Sequence, residues 1–351
     1  DRVETGDVAL LEAVRVETGA YRPGDIAEEI RPARRIAAPV PCHPVFLDLP
    51  LLTGNEIAHA PHVAVAADPW PGPVGVWSSA EAEARFELNR MVAAPAVIGV
   101  TESPLAAARP GLWDRGVPLR VRIAGGQLSS AAMTSVLNGA NAMAIGDGSS
   151  GNWEVFQFAN AELVAPDTWD LSLRLRGQLG TDGIMPAEWP AGSTVVLLDR
   201  ALQQLDLAAS ARGLLRHYRI GAAARGYDGA AVVARSEAFD GIGLRPYPVC
   251  HLRASGKSGQ TVRAGWVRRT RIEGDNWQQT EVPLGEEAEA YLLRIMQGAA
   301  IRAEYHQTAA SFLYPSAAQA ADGVAGPFDI AVAQLSARFG PGPFRRVSVG
   351  A

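Results

Sequence analysis

The sequence predicts a mainly β protein, and three observations lead to that prediction. Apolar and polar residues alternate with a period of two wherever a period can be read, which is typical of half-buried strands. Proline and glycine clusters, such as PWPGP at 69–73 and PAEWPAG at 186–192, indicate long loops between sheets. Helical patterns are short, and the two best windows, SAEAEARFELNRM from Ser79 and RALQQLDLAA from Arg200, fit helix, strand or turn.

The segment VPLRVRI, residues 117–123, is the first regular strand pattern. It places four apolar residues on one face of a predicted strand: Val117, Leu119, Val121 and Ile123. Gly125 and Gly126 then supply a turn. Two shorter segments, TVVLLD from Thr194 and AAVVA from Ala230, predict buried strands.

The segment TWDLSLRLRG, residues 168–177, is the second regular strand pattern. Its alternation predicts a strand that lies on a sheet with one face buried. The residues expected to face inward are Trp169, Leu171, Leu173 and Leu175. The residues expected to face outward are Asp170, Ser172, Arg174 and Arg176.

A change of composition at GLRPYPVCHLRASGKSGQ predicts a domain boundary near Arg245. We therefore expect an N-terminal β segment over 1–68, a β-rich domain over 69–245 and a β-sandwich over 246–351. The chain begins with Asp1 and its first residues read like the middle of a domain. The first segment is therefore expected to continue from a larger preceding part of the protein.

The predicted sandwich has several strands with clear inward faces. The expected core residues are Trp266, Tyr291, Ile330 and Val332. A glycine-proline hairpin, GPGP at 340–343, is expected to lead into the last strand. If the strand that starts at Val262 continues through 272, Arg269 and Arg271 point outward.

Composition limits the classes of function. The formal net charge of −5 argues against a chain-wide attraction to nucleic acid or anionic lipid. Lys257 is the only lysine, so nearly every positive charge is an arginine. No apolar run reaches the roughly 20 residues that a membrane-spanning helix needs. Cys42 and Cys250 form neither a disulfide framework nor a zinc-binding spacing.

The stretch GWVRRTRIEGDNWQ, residues 265–278, carries Arg268, Arg269 and Arg271 between two tryptophans. We consider three interpretations of this stretch: a nucleic-acid binding site, a platform for sugars, or the outer face of a strand. Arg263 to Glu289 holds four positive and six negative charges, which favours cross-strand ion pairs over nucleic-acid binding. Subunit contact through arginine is the alternative, since arginine is enriched at interfaces.

Motifs that could carry chemistry fail on spacing. SGKSG at 255–259 has His251 where a phosphate-binding loop needs its first glycine. His43, His59 and His62 lack a metal-ligand spacing, and we expect them in loops. IGDGSSGNWE has Phe158 where a calcium loop needs glutamate, so a tight turn at Asp147 is expected instead.

Two carboxylate pairs, Glu154 with Glu162 and Asp167 with Asp170, are compatible with a glycosidase only if their separation fits. Sequence does not fix that separation, and chance pairs are expected among so many acidic residues. We therefore predict no catalytic, cofactor-binding or metal-binding residue, and no enzymatic activity in this chain. Eight tryptophans motivate an alternative, a carbohydrate-binding accessory region of a cell-wall-active enzyme, although core packing is the more common role of tryptophan.

Several segments together resemble a known family. FDIAVAQLSARFGPGPFRRVSV resembles the last two strands of a fibronectin type III domain, with Phe328 where that family usually has the tyrosine of the tyrosine corner. GWVRRTRIEGDNW, PLGEEAEAYLLRI, LNGANAMAIG and LRLRGQLGTDG resemble the C-terminal part of phage tail proteins, in particular the multidomain baseplate and tail-tip hub proteins of gene transfer agents.

The resemblance implies β-rich phage tail hub domains followed by a fibronectin type III-like sandwich. It implies a structural component of the baseplate or tail tip of a virion-like particle, assembled in the bacterial cytoplasm. It further implies a homotrimer around the tail axis, contact with other baseplate and tail proteins, and envelope glycans as a further partner. A glycoside hydrolase-like barrel of that family is expected before Asp1, outside this chain.

Overall fold

The computed structural model describes residues 2–6, 8–11, 13–17, 40–274 and 280–350. The chain divides into two compact units, residues 1–38 and 39–351. In the first unit, β1 (Arg2–Thr5) pairs antiparallel with β2 (Val8–Leu11).

The second unit holds the remaining strands and two short helices. Before residue 95 these are β3 (His43–Leu47), β4 (His62–Ala66), β5 (Val74–Ser79) and β6 (Glu87–Val92). From 96 to 197 they are β7 (Ile98–Thr101), β8 (Leu105–Ala106), β9 (Trp113–Asp114), β10 (Leu119–Ala124), α1 (Met133–Leu137), β11 (Ala142–Gly146), β12 (Trp153–Ala165), β13 (Thr168–Gln178), β14 (Glu188–Trp189) and β15 (Thr194–Leu197). Then come β16 (Gln203–Gln204), β17 (Arg216–Ala222) and β18 (Val233–Glu237). The last are β19 (Cys250–Ser255), β20 (Val262–Val267), β21 (Tyr291–Gln297), β22 (Ala300–Gln307), β23 (Ser311–Tyr314), α2 (Ser316–Ala321), β24 (Phe328–Ser336), β25 (Gly340–Pro341) and β26 (Arg345–Val349).

Two small antiparallel sheets enclose the first core. Their strand orders are β16-β4-β3 and β18-β17-β5-β6. The core combines Phe46, Val63 and Val65 of the first sheet with Val76 and Tyr218 of the second. Residues on both sides of position 68 therefore pack together, and the predicted segment 1–68 has no core of its own among the described residues. Independent folding of the three predicted domains stays a prediction.

The chain between β6 and β16 forms a closed antiparallel barrel. The strands follow the order β10-β7-β15-β11-β12-β13, and β13 pairs back with β10, so the sheet closes on itself. β9 adds to the end of β13. Closure removes the free edges that an open sheet would expose. Because its strands lie between those of the first two sheets in sequence, the barrel is an insertion into that sandwich.

Part of the barrel wall is buried on both faces where it meets the sheet β16-β4-β3, whereas β10 alternates between buried and exposed residues. Phe156 and Phe158 of β12 belong to the interior core, together with Leu119 and Met143. The intervening residues, such as Val155, pack against the outer face of the sheet β16-β4-β3. β4 is accordingly buried on both sides, which explains its continuous apolar run. One further ladder, β8 with β14, places Leu105 and Trp189 in the interior core.

The predicted strand at VPLRVRI is confirmed with one correction. Leu119, Val121 and Ile123 are buried in β10, and Gly125 and Gly126 adopt the positive φ of a turn. Val117 lies before the strand and is 84% exposed, so its assignment to the buried face is wrong. The segment from Thr194 is β15 as predicted. The segment from Ala230 becomes a strand only at Val233, and β18 is mostly exposed, so the prediction of a buried strand there is wrong.

The predicted faces of β13 are wrong in its second half. Leu173 has a φ of 56°, a left-handed conformation that interrupts the pleat. After this point Leu175 packs outside the barrel beneath α1, beside Val136. Arg174 and Arg176, predicted to face solvent, are therefore turned to the buried side.

The two windows with a helical pattern do not form helices. The first is divided between the end of β5, a bend and β6, and the second contains β16 and a 3-10 turn at Ala209–Ala211. The two helices, α1 and α2, have five and six residues. Helices of that length are too short to show a period in sequence. Among the described residues, no helix is long and apolar enough to cross a membrane.

The C-terminal part is a β-sandwich. One sheet has the order β19-β20-β23 and the other has β22-β21-β24-β26, with β25 added beside β24. Three strands facing four in this order is the fibronectin type III arrangement, so the predicted fold class, mainly β with such a sandwich, is confirmed. The predicted core residues, Trp266, Tyr291, Ile330 and Val332, are buried together.

A substitute for the tyrosine corner joins α2 to the sandwich. Phe328 is buried and contacts the Tyr314 ring edge-on, at 5.6 Å between centroids. The hydroxyl groups of Tyr314, at 2.7 Å, and Tyr305 both donate to Oδ2 of Asp322, directly after α2. Burial and this carboxylate raise the pKa of Tyr305 to about 12. The connection between β23 and β24 is thus fixed by hydroxyl groups from β22 and β23 instead of one at position 328.

Candidate functional site at the junction of barrel and sandwich

The three histidines, His43, His59 and His62, lie in or just before two strands of the first sandwich. His43 and His62 lie in β3 and β4, so their placement in loops is wrong. His59 precedes β4, and its Nε2 lies 2.9 Å from the carbonyl oxygen of Leu207. Within the described parts of the chain, no group of three or more His, Cys, Asp or Glu residues could hold a metal ion. Cys42 is buried and Cys250 half-buried, and both are free thiols.

Two glycine-rich motifs are turns. SGKSG forms the hairpin between β19 and β20, with Gly256 and Gly259 at positive φ. The turn predicted at Asp147 is confirmed: its carboxylate accepts hydrogen bonds from the backbone N–H of Ser149, at 3.0 Å, and from Nδ2 of Asn152, at 2.7 Å. Both motifs therefore serve local backbone geometry.

Glu154 and Glu162 do not have glycosidase geometry, and Asp170 of the second pair is bonded to an arginine. Glu154 and Glu162 lie eight positions apart in β12, which is about 26 Å along a strand, far beyond the spacing of catalytic carboxylates. Asp167 is in the turn after β12, whereas Asp170 accepts both hydrogen bonds from the guanidinium of Arg120, each at 2.8 Å.

Glu154 instead forms the centre of a buried ionic network inside the barrel. Arg176 donates to both of its oxygens, at 2.7 and 2.8 Å. The indole N–H of Trp189, at 2.7 Å, and the backbone N–H of Gly177, at 3.1 Å, donate to the same carboxylate. Glu154 and Arg176 side chains are both 0% exposed. The carboxylate is therefore saturated and not available as a general acid or base.

Asp114 continues this network at the end of the barrel wall. Arg174 donates to Oδ2 of Asp114 through Nε, at 3.0 Å, and Nη2, at 2.8 Å. Burial alone would raise the pKa of Asp114, but hydrogen bonds from Gly116 and Arg174 outweigh it and hold the pKa below its ordinary value. The network therefore fixes β9, β12 and β13 to one another.

The three arginines that follow β20 donate hydrogen bonds to other groups of the same chain. β20 ends at Val267, so the strand alternation assumed for 268–272 does not continue. The Arg271 side chain is 4% exposed, and its Nε donates to Glu286 at 2.9 Å. Arg269 donates to Oδ1 of Asp182 at 2.8 Å. The prediction that Arg269 and Arg271 point outward is wrong.

Asp182 connects the barrel to the sandwich. It lies in a 3-10 turn, Thr181–Gly183, just after β13, and its side chain is 2% exposed. In addition to Arg269, Arg345 of β26 pairs with its second oxygen. The turn is anchored to the barrel because the Thr181 hydroxyl accepts the backbone N–H of Val155 at 3.0 Å. One carboxylate of the barrel thus holds two guanidinium groups of the sandwich.

Close packing surrounds the Asp182 turn. The guanidinium of Arg269 lies over the ring of Tyr247, 5.3 Å from its centroid. Gly180 adopts a left-handed conformation, and a side chain there would overlap the Tyr247 ring. Gly183 likewise leaves no space for a side chain beside Pro343. The junction therefore has little freedom to shift.

Asp182→Ala is expected to lower the free energy of unfolding by about 1–2 kcal/mol. The change leaves two arginines without their carboxylate, but both are about one third exposed and regain water, which limits the cost. Urea unfolding of the whole chain measures the effect. Asp228→Ala, which breaks the exposed pair with Arg219, is the control and should cost well under 1 kcal/mol. Equal costs would contradict a structural role for Asp182.

Two buried titratable groups lie beside the first sandwich. Asp48 follows β3 and accepts the backbone N–H groups of Gly241 and Ile242, each at 2.8 Å. Burial raises its pKa to about 6, although these hydrogen bonds oppose the change. Burial lowers the pKa of His62 to about 4, with an opposing effect of Glu56.

These two groups are expected to change stability with pH in opposite directions. Asp48 binds its proton more tightly in the folded state, so its contribution falls by about 3 kcal/mol as pH rises from 4 to 6. His62 binds its proton less tightly when folded, so its contribution rises by about 3 kcal/mol between pH 4 and 6.5. Relative to the parent chain, Asp48→Asn should therefore gain stability with rising pH, and His62→Gln should lose it. Urea midpoints at pH 4.5 and 7 test both signs, and parallel pH profiles would refute them.

Sequence reasoning missed Asp114, Glu154 and Asp182 as the residues that organise the site. Asp182 lies in the segment GQLGTDG, whose only signal in the sequence is its resemblance to phage tail proteins. The partners of Asp182 lie 87 and 163 positions away in sequence, so no local pattern could identify them.

Of the eight tryptophans, seven lie in described residues, and each of these is buried or half-buried. Trp277 lies outside the described residues. The prediction that these rings fill cores instead of forming an exposed sugar platform is confirmed for the seven.

Comparison with known proteins gives one family match. Residues 96–196 match the family model described as Rcc01698-like, C-terminal. That range is under half of the chain and coincides with the barrel, from just before β7 to β15. No curated protein matches the chain.

Solved structures show only weak similarity. The chain is similar to domains d3–d4 of the rat CD45 extracellular region, with 10% identity, a TM-score of 0.23 and coverage of 44% of this chain and 72% of that one. The FN1–FN3 domains of chicken CNTN1 have 10% identity and a TM-score of 0.21, with coverage of 72% of this chain and 65% of that one. A segment of two fibronectin type III domains from chicken tenascin has 5% identity and a TM-score of 0.22, with coverage of 72% of this chain and 99% of that one. Because these TM-scores are low, the fold assignment depends on strand order, and the sequence similarity is to the Rcc01698-like C-terminal family over the barrel.

Proposed function

We propose that this chain is a structural component of the baseplate or tail tip of a phage-like particle of the gene transfer agent type. The observation that carries the proposal is the ionic junction at Asp182. The arginine-rich stretch is used to fix the sandwich to the barrel and not to bind a ligand from solvent. A rigid joint of this kind suits a protein that must hold a defined position among neighbouring subunits.

Two further observations support the proposal. The barrel coincides with the family match, and the hub resemblance of LRLRGQLGTDG falls on β13 and the Asp182 turn. The fibronectin type III-like sandwich follows in the order that the hub resemblance implies. The proposal includes a location in the virion, assembly in the bacterial cytoplasm, and a homotrimer around the tail axis in contact with other baseplate and tail proteins.

The proposed role requires no bond chemistry from these residues. Glu154, the most deeply buried of the candidate carboxylates, is fully engaged by Arg176 and Trp189. A carbohydrate-binding role has no support from the seven described tryptophans, which are not exposed. The purified chain is accordingly expected to release neither sugars nor peptides from peptidoglycan.

A reconstruction of the particle tests the proposal directly. We expect density for the barrel and sandwich at the distal end of the tail, in three copies around its axis. Antibody fragments against the sandwich should label the same end in negative stain. Density in the capsid, the neck or the tail tube would overturn the proposal.

A further inference from the structure

A cleft of about 470 Å³ lies between the sheet β16-β4-β3 and the outer wall of the barrel. Its volume is within the range of small-ligand sites in proteins. Apolar walls come from both sides, including Leu52 and Leu202 near the sheet and Leu179 beside the barrel. All lining residues belong to the described chain. Its lining does not include Asp182, Arg269 or Arg345 of the junction.

His62 lines this cleft from the sheet. It shares a strand face with Ala64 and Ala66, which pack against the barrel, so its ring lies on the barrel side of β4. The residue is 5% exposed, and its Nδ1 has no hydrogen-bond partner among the described residues. A buried ring nitrogen without a partner is costly, so this atom is a candidate for a contact with a ligand in the cleft.

The other polar groups in the cleft offer mainly acceptors. Gln157 uses its Nε2 on the carbonyl oxygens of Val136, at 2.6 Å, and Ala140, at 2.8 Å, so Oε1 is the atom left for a ligand. Gln178 uses its Nε2 on the carbonyl oxygen of Arg176, at 3.1 Å, and it too retains Oε1. Because both amide groups present an oxygen atom to the cleft, a ligand that donates hydrogen bonds fits it best.

Two carboxylates give the cleft a negative potential. Glu56 is held by the backbone N–H groups of Thr53 and Gly54, at 2.8 and 3.0 Å, which keep it at the cleft. Asp199 accepts one hydrogen bond, from the backbone N–H of Ala201, on Oδ1. Arg200, exposed at the rim, offsets one of these charges. Glu56 and Asp199 therefore leave a net attraction for a cation.

We propose that this cleft binds the side chain of an arginine presented by a neighbouring subunit. An aliphatic stem fits the leucine walls, and a guanidinium supplies five N–H donors for carboxylate and amide oxygens. Arginine is also the cation that another copy of this chain would offer, since its one lysine is Lys257. The source of the side chain rests on the proposed function, whereas the chemistry of the cleft does not.

Binding of N-acetyl-L-arginine amide to the whole chain tests the proposal. With ¹³C- and ¹⁵N-labelled histidine, the ring signals of His62, identified by their loss in His62→Gln, should shift and saturate as the probe is added at pH 7. N-acetyl-L-citrulline amide has nearly the same shape without the charge and should shift them little. No shift with the arginine probe, or equal shifts with both probes, would overturn the proposal.

Replacement of one carboxylate provides the second test. Asp199→Asn keeps the acceptor for Ala201 and should weaken binding of the arginine probe about tenfold, because a charge-assisted hydrogen bond becomes a neutral one. Asp228→Asn, in the exposed pair with Arg219, is the matched control and should leave binding unchanged. Equal binding by all three proteins, at matched unfolding midpoints, would place the probe elsewhere.

The two proposals can fail separately. The arginine probe could bind saturably and depend on charge while a reconstruction shows the chain away from the tail tip. That result would support arginine binding in the cleft and refute the baseplate role. A tail-tip position without probe binding would refute the cleft alone.

Discussion

Replacing Glu154 by alanine is expected to lower the free energy of unfolding by about 3–5 kcal/mol, because the change leaves the Arg176 guanidinium buried without its counter-charge. The indole N–H of Trp189 and the backbone N–H of Gly177 lose their acceptor at the same time. Urea unfolding of the whole chain, followed by tryptophan fluorescence and circular dichroism, measures the cost. Failure to fold at 37 °C would agree with the same prediction.

Asp170→Ala is the matched control for Glu154→Ala. Asp170 also pairs with an arginine of the barrel wall, Arg120, at a similar distance of 2.8 Å, but both side chains are partly exposed. This change should cost under about 1 kcal/mol. The double replacement Glu154→Leu with Arg176→Met should recover much of the loss, since it removes both charges and keeps the volume. Similar costs for the two single changes would show that burial does not determine the strength of these pairs.

The two ion pairs of the barrel, Glu154 with Arg176 and Asp170 with Arg120, also show which features the sequence does not predict. The alternation in TWDLSLRLRG predicts a strand, and β13 confirms it. The inversion of its second half depends on one backbone conformation, the positive φ of Leu173, which a leucine rarely adopts and which no local sequence signal marks. Arg174 and Arg176 acquire carboxylate partners only through contacts with β9 and β12.

The C-terminal sandwich was more predictable because the core residues of its central strands are spaced two positions apart. In β20 every second residue is apolar. The core residues Tyr291, Leu293 and Ile295 of β21, and Phe328, Ile330 and Val332 of β24, follow the same period of two. The same argument failed within four residues of the end of β20. Arg269 and Arg271 follow a strand instead of belonging to one, and tertiary contacts determine their directions.

The cleft beside His62 could not be predicted from sequence for a related reason. His59 and His62 lie close together in sequence, but their spacing does not fit a pair of metal ligands. The relevant neighbours of His62, Gln157 and Asp199, come from the barrel wall and from the chain that leaves the barrel. Their proximity follows from the insertion of the barrel into the first sandwich, and the sequence gives no sign of that topology.

Trp266→Ala is expected to cost about 3–5 kcal/mol of unfolding free energy. The ring is buried in the sandwich core and contacts Tyr291 edge-on, with 5.1 Å between the ring centroids. Trp266→Phe should cost much less, because phenylalanine keeps most of the apolar contact. It also removes an indole N–H that has no acceptor among the described residues. Urea unfolding of the two variants beside the parent chain measures this difference.

Arg269→Ala is the comparison that separates core packing from the ionic junction. It removes one of the two guanidinium groups on Asp182 while Arg345 remains, so about 1 kcal/mol is expected. The tryptophan change should therefore be several times more costly than the arginine change. A larger cost for Arg269→Ala would mean that the junction at Asp182, and not the core around Trp266, limits the stability of the sandwich.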